Sequence, residues 1–262
     1  MTDMNPVTAA TLARTKQDGH KTAWLTAYDA VSAQIAEAAG IDVLLVGDSM
    51  ANACLGMETT LPVTLEQMIH HTAAVVRGRS RAWVVCDLPF GSYQKSPEQA
   101  FDASVQVLQQ SGCDAVKLEG GVHIAGTIRF LAERGIAVVA HIGLTPQSVK
   151  HFGSLRRRGT NEKEAAQLIA DAQAVTDAGA VALVLENIPP QIAVAITRST
   201  DIPTVGIGAG PDCDAQVLVW HDLLGISESN PPFAPAYANV RQVMSEAITR
   251  WADDVRQGKF PK

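Results

Sequence analysis

Short apolar runs alternate with amphipathic segments along the whole chain, and this alternation constrains the fold more than any other feature. Runs near 22–28, 42–47, 82–87, 114–119, 136–141, 181–186, 203–207 and 216–220 are rich in Val, Ile, Leu or Ala. Each is short enough to be a strand buried on both faces. Helical patterns lie between them. One follows Ser96-Pro97-Glu98, where Ser96 can cap and Pro97 can take the first helical position. Another follows Thr64, and a third spans about 162–178 and stops at Gly179. Eight strands with intervening helices favour a closed (β/α)8 barrel over an open doubly wound sheet. The length of 262 residues suits one such barrel, which takes about 250. No linker, low-complexity tract or repeat divides the chain, so a single domain over 1–262 is expected. Residues 7–17 are predicted to form a helix covering the barrel bottom, and 236–257 a last helix closing the wall.

Composition narrows the function classes. A net charge of −6 offers no general attraction to nucleic acid or an acidic membrane. No stretch approaches the roughly 20 apolar residues of a membrane span. The opening MTDMNPVTAA lacks the basic head and apolar centre of a signal peptide. Cys54, Cys86, Cys113 and Cys213 have neither close pairing nor metal-ligand spacing, and read as reduced thiols of a cytoplasmic protein.

Functional side chains sit where the apolar runs end: Asp48, Asp87, Lys117, Glu119, His141 and Glu186. Barrel active sites form at the C-terminal ends of the strands, so these residues can share one pocket despite their distance in sequence. Asp48, Asp87 and Glu119 would repel one another unless a cation neutralised them. Hard oxygen donors favour Mg2+ over zinc. Taken singly, each acid could instead cap a helix or pair with an arginine. Lys117 and Glu119 are two apart and point into the barrel together, where Lys117 calls for an anion such as a substrate carboxylate. An internal Lys117–Glu119 ion pair is the alternative. His141 could polarise a carbonyl or enolate oxygen, or satisfy a backbone partner. Glu186, across the barrel from strands 2 and 3, could act as a general base, or cap the helix that starts near Pro189 or Pro190. The run Gly206-Ile207-Gly208-Ala209-Gly210 reads as a tight turn rather than a dinucleotide fingerprint. His70 and His71 read as solvated.

The strings LTAYDA, LLVGDSM, TTLPVT, CDLPFGSY, VKLEGG, HIGLTPQSV, LVLENIP and VGIGAG, in this order, resemble the ketopantoate hydroxymethyltransferase family over roughly residues 7–260. The resemblance implies a (β/α)8 TIM barrel of the phosphoenolpyruvate/pyruvate-binding type, in a cytoplasmic homodecamer of two pentamer rings. It implies transfer of a hydroxymethyl group from 5,10-methylenetetrahydrofolate to 3-methyl-2-oxobutanoate, giving 2-dehydropantoate on the way to pantothenate and coenzyme A. By the family's pattern, Asp48, Asp87 and Glu119 hold one Mg2+ per subunit. Asp48, Ser49, Asp87 and Lys117 contact the oxo acid. Glu186 is the proton acceptor, and His141 matches a pocket histidine.

Two departures from that pattern stand out. Asp48-Ser49-Met50-Ala51-Asn52 replaces a DSLGM-like run, which removes a glycine at Ala51. Gly153-Ser154-Leu155-Arg156-Arg157-Arg158-Gly159 replaces a GGYKVQG-like stretch expected at the pocket mouth. Its arginines could attract the glutamate tail of a folate, or form a solvated loop or subunit contact. Two rival readings are a carbon–carbon lyase or mutase of the same superfamily and a non-catalytic barrel. The first typically carries a cysteine-bearing catalytic loop that this chain does not resemble. The second would predict decay of the pocket residues, all of which are present.

Overall fold

The computed structural model describes residues 5–261; the opening MTDM lies outside them. Chain order runs α1 (Ala9–Gln17), β1 (Thr22–Thr26), α2 (Ala30–Ala38), β2 (Val43–Val46), α3 (Met50–Ala53), α4 (Leu65–Gly78) and β3 (Trp83–Asp87). It continues with α5 (Pro97–Ser111), β4 (Ala115–Glu119), α6 (Ala125–Ala132), β5 (Val138–Gly143), α7 (Val149–Phe152), α8 (Glu162–Asp177) and β6 (Ala182–Glu186). The last elements are α9 (Pro190–Ser199), β7 (Thr204–Ile207), β8 (Ala215–Leu218), α10 (Trp220–Leu223) and α11 (Val240–Arg256). The strands follow one another in order around a closed barrel, and the strand pairs are parallel. Every expected strand is present with its ends shifted by no more than two residues.

Local chemistry sets the helix starts. Ser96 accepts the amide of Gln99 with Pro97 in the first turn. Thr64 and Gln67 form a reciprocal capping box. Asn161 caps α8, which ends before Gly179 at φ +94°.

Alternate residues on each strand face the barrel interior. Val43 and Leu45 of β2, Trp83 and Val85 of β3, Ala115 of β4, Val139 of β5 and Ala182 and Val184 of β6 form the lower, apolar layers. Leu12 of α1 and Val7 pack into the same cluster, as expected of a helix covering the bottom. Continuing the same inward parity up the strands gives Asp87, Lys117, Glu119, His141 and Glu186. One sequence period thus supplies a hydrophobic plug below and a polar layer above. Burying each Val or Leu of the plug contributes about 1.5–3 kcal/mol, which pins the strands that aim the polar layer.

The chain divides into two compact units, one ending at Val217 and the other beginning at Leu218. All candidate site residues belong to the first. In the second, Asn230 Nδ2 ties the carbonyls of Asp222 and Ala234, each at 2.8 Å. Asn239 caps α11, whose Val243, Met244, Ile248, Trp251 and Val255 are exposed.

Candidate active site

Strand register brings the polar layer together. Asp87 of β3 is paired with Lys117 of β4, Glu119 of β4 with His141 of β5, and Gly143 of β5 with Glu186 of β6. His141 was expected where β5 ends, but β5 runs two residues further and places it within the strand. Gly143 has φ +100°, and a Cβ there would lie 2.3 Å from the Glu186 carbonyl oxygen. Only glycine lets β5 and β6 close at this point. Asp48 and Ser49 follow β2 immediately, and the Asp48 amide donates to Asp87 Oδ2 at 3.1 Å.

The contacts form a continuous chain. Lys117 Nζ pairs with Asp87 Oδ1 at 3.1 Å and donates to His141 Nδ1 at 3.2 Å. His141 Nδ1 also lies 3.6 Å from Glu119 Oε1, while its Nε2 lies 3.2 Å from Glu186 Oε2. An ammonium can only donate, so Nδ1 accepts and the ring proton belongs on Nε2, facing Glu186. Burial, then the charge of Lys117, holds the His141 pKa below its ordinary value and keeps the ring neutral.

Charge in the pocket is out of balance. Asp48, Asp87, Lys117, Glu119 and His141 are all buried. Burial pushes the Asp87 carboxyl up to about 7, with the Asp48 charge adding to the rise and Lys117 opposing it. Burial likewise raises Asp48 and Glu119, with Lys117 again opposing. Burial alone would lower Lys117, but Asp87, Glu119 and Asp48 outweigh it and keep the ammonium charged. One ammonium cannot neutralise three carboxylates. The open Lys117–Glu119 alternative resolves differently, because the closest acid to Lys117 is Asp87. Asp87 Oδ1 is enclosed, with the Lys117 ammonium at 3.1 Å as its partner. A hard cation suits the donor chemistry of this all-oxygen set. Among the described residues, no three His, Cys, Asp or Glu side chains are already disposed around one point, so the fit rests on charge and donor type.

Several neighbours went unnoticed in the sequence. Tyr28, within the LTAYDA string, brings its hydroxyl to 3.0 Å from Ser49 Oγ. Gln147, in the turn after β5, donates to Asp48 and Glu119. Tyr93 bonds to both Gln147 and the Glu119 amide. Tyrosine and glutamine have no carboxylate or imidazole to mark them; their only signal was membership of motif strings. His70 is exposed as expected, but His71 is half-buried with Nδ1 2.7 Å from the Tyr28 carbonyl. Ala51 lies buried in the helical turn of α3, where alanine is at ease and glycine's freedom is not required. In the GIGAG run, Gly208 and Gly210 take positive φ, in keeping with a tight turn.

The loop carrying the three arginines is organised internally. Arg156 pairs with Glu164, whose carboxylate also accepts the amides of Gly159 and Thr160. Arg157 Nε reaches Asn187 Oδ1 at 3.4 Å, and Arg158 lies 3.6 Å over the Phe152 ring. Each arginine thus has a different neighbour: Glu164 for Arg156, Asn187 for Arg157 and the Phe152 ring for Arg158.

The sequence matches the model of the ketopantoate hydroxymethyltransferase family over residues 6–262. The chain belongs to that family. Its members named 3-methyl-2-oxobutanoate hydroxymethyltransferase include proteins of Acaryochloris marina and Streptomyces coelicolor. The first is 50% identical and covers 98% of this chain and 99% of its own. The second is 52% identical and covers 97% of this chain and 88% of its own. Membership of this hydroxymethyltransferase family makes the chain an enzyme. Among solved structures, a 2,3-dimethylmalate lyase of the PEP mutase/isocitrate lyase superfamily superposes with a TM-score of 0.60 at 20% identity, over 94% of this chain and 88% of its own. The phosphoenolpyruvate phosphomutase of Streptomyces platensis gives 0.61 at 15% identity, over 96% and 88%. At such identities the likeness bears on the barrel fold alone.

Proposed function

We propose that this family member transfers a hydroxymethyl group from 5,10-methylenetetrahydrofolate to 3-methyl-2-oxobutanoate, forming 2-dehydropantoate for pantothenate and coenzyme A synthesis. The carrying observation is the position of Glu186. Its side chain is 18% exposed, against 3–5% for Asp87, Lys117, Glu119 and His141 in their contacts. It is therefore the most accessible of these carboxylates to an arriving substrate, while Asp87 and Glu119 lie deeper.

In this reading Asp48, Asp87 and Glu119 would hold one Mg2+. Bound there, the cation would supply the Lewis acidity that makes the C3 proton removable. Lys117 and Ser49, with Asp48 and Asp87, orient the oxo acid. Lys117 also holds His141 in the tautomer whose Nε2–H faces Glu186. Glu186 accepts the C3 proton, and the carbon so freed takes up the one-carbon unit of the folate while water supplies the hydroxyl. His141 then stands next to the protonated Glu186 and keeps its carboxyl oriented.

We further read the enzyme as a cytoplasmic homodecamer. Cys86, Cys113 and Cys213, buried as thiols, agree with a reducing compartment. The apolar stripe on α11 agrees with a subunit contact. No described helix is long and apolar enough to cross a membrane. The reaction is tested by incubating the purified protein with both substrates and Mg2+ and assaying 2-dehydropantoate. Product must depend on each component; its absence from the complete mixture would reject the assignment.

A further inference from the structure

We propose that Gln147 is a positioning residue that sets the carboxylates of Asp48 and Glu119 for their cation, an inference that rests on the metal reading above. Gln147 is buried in the turn Pro146–Ser148 that follows β5, and both polar atoms of its side chain and its backbone amide are used. Its Nε2 donates to Asp48 Oδ2 at 3.0 Å and to the Leu88 carbonyl at 2.9 Å. Its Oε1 accepts from the Tyr93 hydroxyl at 2.7 Å and from Gln94 Nε2 at 3.1 Å. Its backbone amide donates to Glu119 Oε2 at 3.0 Å.

This pattern admits one orientation of the amide. Turned over, Nε2 would face the Gln94 donor, and Oε1 would face two acceptors. One residue therefore fixes two acids that come from different strands, Asp48 after β2 and Glu119 at the end of β4. Asp48 Oδ2 and Glu119 Oε2 are committed to Gln147, which leaves Asp48 Oδ1 and Glu119 Oε1 free of it. Tyr93 braces the arrangement by also accepting the Glu119 amide at 3.1 Å.

The residue type matters. A lysine or arginine here would orient the same oxygens but also neutralise them, competing with the cation. A neutral amide donates two hydrogen bonds and leaves the charge in place. Groups that orient metal ligands through hydrogen bonds typically lose roughly 10- to 100-fold in metal affinity when replaced.

The test is calorimetric titration of Mn2+ into full-length protein, as wild type, Gln147→Met and Asp48→Asn, with circular dichroism to check folding. Methionine keeps the length of glutamine and removes its side-chain donors, so the variant frees Asp48 while the backbone amide stays on Glu119. Gln147→Met is expected to bind Mn2+ roughly 10- to 100-fold more weakly and to recover most of its turnover at saturating metal, which a general packing defect would not allow. If that variant does not fold, Tyr93→Phe serves instead; it removes the hydroxyl that orients the amide and is expected to shift affinity in the same direction. Wild-type Mn2+ affinity in a folded variant, with Asp48→Asn weakened, overturns the role of Gln147 alone. No Mn2+ uptake by the wild type, or uptake unaffected by Asp48→Asn, overturns the metal reading and this inference with it.

Discussion

Lys117 Nζ lies 3.2 Å from His141 Nδ1, inside the barrel and below the carboxylate of Glu186. The contact decides the protonation of the histidine, because the ammonium needs an acceptor and only a neutral ring with its proton on Nε2 provides one. Nitrogen-15 NMR of labelled enzyme should show His141 neutral, in that tautomer, throughout pH 6–8. The sign follows from burial and from Lys117, both of which lower its pKa from 6.5. A ring that takes up a proton near pH 6.5, or carries it on Nδ1, would contradict this arrangement.

Stability of the metal-free enzyme should fall as pH rises through neutrality. Asp87 has a folded-state pKa near 7 against 3.8 as its ordinary value. A group raised in the folded state binds its proton more tightly there, so its contribution is complete below about pH 4 and is lost as pH passes 7. The raised pKa values of Asp48 and Glu119 act in the same direction. Thermal melts should show a lower Tm at pH 8 than at pH 5.5, and Mg2+ should raise Tm more at pH 8. For a chain of this size on the order of 1 kcal/mol corresponds to roughly 2–4 °C.

Replacing Lys117 by Met should cost more than either acid-to-amide change. It leaves Asp87 and Glu119 buried without their cation, and breaking a buried pair from one side costs about 3–5 kcal/mol. Urea denaturation at pH 8 measures the loss, which should shrink at pH 5.5, where the carboxyls can be protonated.

Gly143→Ala should be far more damaging than Gly153→Ala. Both positions have positive φ, but a Cβ at 143 would meet the Glu186 carbonyl oxygen whereas at 153 nothing lies within 4 Å. The second change should cost about 1–2 kcal/mol, the conformational penalty alone. The first must also part β5 from β6, so turnover should fall with stability as Glu186 is displaced.

Much of this was legible in the sequence for a physical reason. Parallel strands covered on both faces read as unbroken apolar runs, and their period of two put Lys117 and Glu119 on one side before any coordinates were known. The acids stood out because a charged residue at the end of such a run is costly without a purpose. Gln147 did not stand out. It carries no charge, sits in a turn, and is joined to Asp48, Leu88, Tyr93 and Glu119, residues that sequence spacing cannot relate. The arginines of the 153–159 loop show the same limit from the other side. Their charge was visible, but Glu164, Asn187 and Phe152, which engage them, were not.

In the proposed reaction Glu186 removes the C3 proton of a 2-oxo acid in a cation-dependent pocket. Proton NMR of 3-methyl-2-oxobutanoate in D2O tests it directly, with wild-type enzyme and Glu186→Gln, each with and without Mg2+ and tetrahydrofolate. The expected result is loss of the C3–H signal with wild type and Mg2+, and its retention with the variant. Full retention under every condition would mean that the pocket does not enolise this acid, and would contradict the account.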